Sequence, residues 1–364
     1  MDATQQKQQK AKKPGRKRVL IAFALLVGIV TVIAFWIDNR SPSYAGESLD
    51  YWLRKIEVPL PYEQKSEEAW IAVRSIGTNA IPHLLREIRT KDGALKTNLI
   101  AFFERHSSFG MEPAHDYDRR SRAQAGFAVL GEDASPVVPE LEKLLNDRVL
   151  YDSALAVLPY LGEAGNQVMA SVLTDTNRPP AVRWQAAVNL MDLGEISNST
   201  NATPEILKRF QRDAAIVVPA LVKACRDPDG KVGHAACLSL GMMGAEPEKV
   251  EAALNEIMRD SSLPTKVRKS AAHSVGLLTF RADIDPNPYA PTLISVLTDK
   301  SYDVEIRKGA LGGLDKMVRL NRRGCSIALV AIKEIAKGND LTLRKNAVDM
   351  LEKLNPTNAL TTLE

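Results

Sequence analysis

The sequence predicts an all-α protein, a solenoid of about seven to eight helical hairpins preceded by one transmembrane helix. Three observations carry this. Helix-sized segments with the same small-residue column recur along the chain. Most recurrences are 31 to 39 residues apart. A single uncharged apolar run stands near the N-terminus, directly behind a basic tail.

The recurring segment is best seen at Pro179 to Gly194, PPAVRWQAAVNLMDLG, with Pro at its start and Gly at its end, as helices are commonly punctuated. Ala186, Leu190 and Leu193 fall at i, i+4 and i+7, one stripe of a 3.6-residue helix. Eight segments share this column, led by Ala69, Ala123, Ala154, Ala186, Ala236, Ala271, Ala310 and Ala347. Each alanine is followed by apolar residues four and seven positions later. Small residues let neighbouring helices approach, and the larger partners fill the space between layers. Five segments end in Gly: Gly77, Gly131, Gly162, Gly194 and Gly244. Such a Gly tolerates the left-handed conformation of a helix end.

A second helix follows each of the earlier segments, often opening on Ile81-Pro82, Val138-Pro139, Val218-Pro219 or Ala290-Pro291. Asp175, Asp260 and Asp299 each lie eight residues before an Arg of the next template helix, Arg183, Arg268 and Arg307. The spacing predicts that each Arg bonds the Asp and carbonyls of the preceding turn, a structural role rather than an anion-binding ladder. Gly233 stands in this Arg column, and Arg344 continues it.

The pattern D…VR..AA..LG, followed by a helix opening in VP.L, resembles HEAT repeats, especially those of phycobilisome lyase-type, armadillo-like proteins. Val182-Arg183, Ala186-Ala187, Leu193-Gly194 and Val218-Pro219 with Leu221 carry it, and it extends over roughly residues 63–354. The resemblance implies a right-handed α-solenoid. It implies nothing firm about activity, because such arrays serve unrelated tasks.

Taken in order, residues 1–18 form a basic cytoplasmic tail with seven Lys or Arg and one acid, a charge of +6. The whole chain is +4, so the remainder is −2 and has no overall pull on nucleic acid. Val19 to Ile37 is nineteen residues without a charge. As a helix it spans about 28 Å, close to a bilayer core. The basic residues before it place the N-terminus in the cytoplasm. Residues 19–37 are therefore expected to be an uncleaved signal anchor in the cell (inner) membrane, with the repeats periplasmic or extracellular. A cleaved signal peptide ending near Ser43-Tyr44-Ala45 is the alternative.

Residues 38–62 read as a linker and capping helix, with Ser48 at the cap and Leu49, Trp52, Leu53 and Ile56 on one face. The stretch from Gly46 to Leu53, just outside an anchor, looks like the lead-in of single-pass bacterial HEAT-like proteins. Residues 63–354 are the repeats, and residues 355–364 a C-terminal tail. Within the repeats, His106, His115, Asp116 and Asp118 gather in an insertion read as a solvated loop, not a metal site. Asn198 and Asn201 open sequon-like triplets in a surface loop.

Cys225, Cys237 and Cys325 lack metal-ligand spacing and are read as buried free thiols. A Cys225–Cys237 disulfide across one helix pair is the alternative. His234 and His273 are read as structural, and Gly312-Gly313 as a packing feature inside a template helix. No nucleophile elbow, phosphate loop or metalloprotease motif is present. Catalytic, cofactor and metal residues are thus expected to be none. The expected function is non-enzymatic, a membrane-tethered scaffold whose concave face, lined by second helices, binds a protein partner. The resemblance to lyase-type HEAT-like proteins implies a lyase-like or chromophore-handling factor as the runner-up, and a nucleic-acid-binding solenoid comes last.

Overall fold

The computed structural model describes residues 41–56, 67–91, 116–194, 203–281, 283–319 and 325–354. The anchor 19–37, the tails 1–18 and 355–364, His106, His115, Asn198 and Asn201 lie outside these residues. Among the described residues no helix is long and apolar enough to cross a membrane.

The described chain opens with a two-stranded antiparallel ribbon, β1 (Ser43–Tyr44) and β2 (Glu47–Ser48). The sequence suggested only a linker there. Ala45 and Gly46, both at positive φ, make the turn, a conformation suited to tight hairpins. Helix α1 (Leu49–Lys55) follows, capped by Ser48, whose hydroxyl accepts from the Tyr51 N–H. Its Leu49, Trp52 and Leu53 are buried, and it packs against the helix that follows.

The repeats alternate template and second helices. The template helices are α2 (Glu67–Ile76), α4 (Asp116–Leu130), α6 (Tyr151–Val157), α8 (Pro180–Asn189), α10 (Gly230–Met243), α12 (Thr265–Leu277), α14 (Val304–Arg319) and α16 (Leu341–Leu354). The second helices are α3 (Ile81–Ile88), α5 (Val138–Leu144), α7 (Gly162–Thr174), α9 (Pro204–Ala224), α11 (Pro247–Arg259), α13 (Ala290–Thr298) and α15 (Ser326–Lys337). Each template helix contacts the next template helix along the whole row. One apolar core runs through the stack, as a solenoid of hairpins requires.

All eight column alanines are completely buried. A β-carbon is what the interhelical gap accommodates at these positions, so a longer side chain there would force helices apart. The closest approach goes further. Where α12 meets α14, a β-carbon on Gly276 would stand 2.1 Å from the Gly313 carbonyl oxygen. Backbone rests on backbone here, and Gly312-Gly313 is a packing feature as expected.

Two expectations on helix ends need correction. Gly77, Gly131, Gly162 and Gly244 do adopt positive φ, but Gly194 does not. Gly194 instead lies against α10, where a β-carbon would meet the Met242 carbonyl oxygen at 2.4 Å. The helix expected to open at Val218-Pro219 begins earlier, at Pro204, and carries Pro219 inside it. Thr203 caps it by accepting from the Ile206 N–H at 3.3 Å. The extra N-terminal turns have their own anchor: Arg209 donates to the Tyr160 carbonyl, and Arg209 and Arg212 both meet Glu132.

Candidate functional site

The Arg column is structural, but its partners differ from the expected ones. Arg183 makes two hydrogen bonds, each 2.8 Å, to the Asp227 carboxylate of the following turn. It also donates to the Thr176 and Arg178 carbonyls of the preceding turn. Arg307 donates back to the Leu297 carbonyl at 2.8 Å and forward to Asp340 at 3.1 Å. Arg268 donates to the Met258 carbonyl at 2.9 Å. The carbonyl half of the expectation holds, whereas the carboxylate comes from the next turn at Arg183 and Arg307. The reason is local. Asp175, Asp260 and Asp299 are occupied in their own turns, accepting from the backbone N–H of Asn177, Ser262 and Ser301, as short acidic side chains do in turns.

The histidines also serve the stack. His234 Nδ1 lies 2.5 Å from Ser270 Oγ, bridging α10 to α12. His273 sits beside Gly312, and burial pushes its pKa down to about 4, with Lys316 reinforcing and Asp315 opposing. Asp116 and Asp118, expected in a solvated loop, instead fall in the first turn of α4. Among the described residues no group of three or more His, Cys, Asp or Glu is arranged to hold a metal ion.

The surface feature the sequence analysis missed is a groove between second helices α13 and α15. Helix α15 carries two apolar stripes. Ala328, Ile332 and Ala336, at i, i+4 and i+8, are buried in the core. Ile327, Val330, Ala331 and Ile335, at i, i+3, i+4 and i+8, face the groove. Across from them α13 presents Ile294, Leu297 and Thr298. The space measures about 500 Å³, and its walls are almost wholly apolar, with Ser326, Thr298 and Glu334 as polar members. Ile327 is 44% exposed and Val330 59% exposed. A helix that needed one apolar face carries a second, and the dense run SIALVAIKEIA was its trace in the sequence. The polar groups in its lining are two hydroxyls, of Thr298 and Ser326, and the Glu334 carboxylate, with no His, Cys, Lys or Arg among the lining residues. It can hold aliphatic or aromatic side chains.

No family model matches this chain, and no curated protein matches it. Solved structures similar to it include a designed armadillo repeat protein, YIII(Dq)4CqI. That pair is 15% identical over 76% of this chain and 100% of the other, with a TM-score of 0.31. Human deoxyhypusine hydroxylase in complex with glycerol is 16% identical over 77% of this chain and 98% of the other, with a TM-score of 0.28. At those scores neither bears on what this chain does.

Proposed function

We propose that this chain is a non-enzymatic, membrane-tethered scaffold of HEAT-like repeats that binds a protein partner on the extracytoplasmic side. Binding takes place on the face made by the second helices. The observation that carries this is the α13–α15 groove, an open apolar trough with two exposed aliphatic side chains. Such a trough fits an amphipathic partner helix, whose i, i+3 and i+4 anchors would seat between α13 and the outer stripe of α15. The tether is supported by the uncharged run Val19 to Ile37, and its orientation by the +6 charge of residues 1–18. No observation favours a lyase-like activity or nucleic-acid binding over this reading.

The test places a photo-activated cross-linking residue at position 330 of the full-length protein in its membrane. A discrete protein adduct is expected there, and none from the same residue at Lys345 on exposed α16. The adduct should vanish when Ile327→Glu is added. Equal adducts from positions 330 and 345, or none from either, would sink the proposal.

A further inference from the structure

Helix α9 ends at Ala224, and Cys225 is its C-terminal cap. The chain turns through Asp227 and re-enters as α10, on which Cys237 sits one position beyond column residue Ala236. The two sulfurs are 3.3 Å apart, and both residues are buried, at 1% and 0% exposed. Two further features hold them there. The Arg183–Asp227 pair fixes the turn between the helices. Gly233 stands in the column that elsewhere carries Arg183, Arg268 and Arg307, and a β-carbon on it would meet the Cys225 carbonyl oxygen at 2.8 Å. The missing side chain lets α10 press onto the end of α9, which is what brings the cysteines together.

We propose that Cys225 and Cys237 are joined in the mature protein by an intramolecular disulfide, a covalent closure of the α9–α10 hairpin. The bond requires the sulfurs to approach by about 1.3 Å, to the roughly 2.05 Å of a disulfide. The co-reactant is an external disulfide, either a small-molecule one or that of a thiol oxidase. One Cys thiolate attacks it, forming a mixed disulfide and expelling a thiolate. The second Cys thiolate then displaces the remaining external sulfur. Two S–H bonds are lost, one S–S bond forms, and two electrons and two protons leave on two external thiols. Both sulfurs are buried once the hairpin closes, so the exchange precedes closure. In the folded, reduced chain the hydrogen bond to Cys225, together with burial, holds the Cys237 pKa well above its ordinary value, which disfavours the reactive thiolate. The proposal rests on the extracytoplasmic placement above, since disulfides persist in oxidising compartments.

The experiment counts thiols in the full chain, acid-quenched from cells and alkylated under denaturing conditions with a maleimide that shifts the band. One reactive thiol, Cys325, is expected before reduction and three after. Cys325→Ser should leave none before reduction, and Cys225→Ser should leave two. Three thiols without reduction overturns the proposal, as does a Cys325→Ser chain that still shows one. A second arm identifies the failed premise. The purified chain is unfolded and refolded in equal reduced and oxidised glutathione. If three thiols were found in cells yet the pair closes in most molecules here, the placement was wrong. If it stays open here too, the geometry was wrong.

Discussion

Arg183 and Asp227 are a buried ion pair, with side chains 4% and 3% exposed. Truncating one partner strands the other charge away from water, which costs about 3–5 kcal/mol. Arg183→Met should therefore lower the urea unfolding midpoint sharply, and Arg183→Met with Asp227→Leu should recover much of the loss. The exposed pair Arg89–Glu140, with side chains 43% and 42% exposed, has nothing comparable at stake. Ala271→Leu tests the alanine column directly: overpacking at that completely buried site should cost about 1–3 kcal/mol in the same measurement. His273 gives the pH test. Its folded pKa of about 4 lies below the unfolded value of about 6.5. Between those values the unfolded chain takes a proton that the folded chain refuses. This contribution is therefore flat above pH 7 and falls as pH drops from 6.5 to 4, by up to about 3 kcal/mol. His273→Gln should have a shallower loss of stability over that window than the parent. Parallel curves would refute the assignment.

At the scale of the element, α15 shows how one helix serves two surfaces. Its inner stripe supports the stack and its outer stripe lines the groove. Val330→Glu should abolish partner capture and leave the unfolding free energy within about 0.5 kcal/mol, because that side chain is 59% exposed. Helix α1 behaves in the opposite way. Its Trp52 is buried, and its ring N–H donates to the Tyr44 carbonyl at 3.2 Å. Asp50 ties the same helix to His83 on α3 at 3.0 Å. Trp52→Ala should cost about 3–5 kcal/mol, felt first as faster amide exchange in α2 and α3.

Across the whole molecule, stability is a sum of neighbouring interfaces and not the property of one centre. The α12–α14 contact is the most extensive between helices, and the α10–α12 contact comes next. The last helix, α16, buries only Leu343 and Ala347. Amide exchange should therefore be slowest in α10, α12 and α14 and fastest in α16. A profile with α16 among the slowest helices would contradict this order.

The alternation of helices was legible because it is a local, repeated period. A column of alanines with apolar residues at +4 and +7 can face inward only if each segment is a helix stacked on its like. All eight alanines are buried, as that logic demands. Ser48 at the α1 cap and the Pro-marked starts of α3, α5 and α13 were legible on the same grounds. Partner choice was not legible, because it depends on residues far apart in the chain. Arg183 meets Asp227 across 44 positions and Arg212 meets Glu132 across 80. The groove between α13 and α15 likewise exists only where two helices from different repeats lie side by side. A repeat period dictates which face of each helix is buried, and the stacking of one repeat on the next decides which charges pair and which apolar side chains are left in the open.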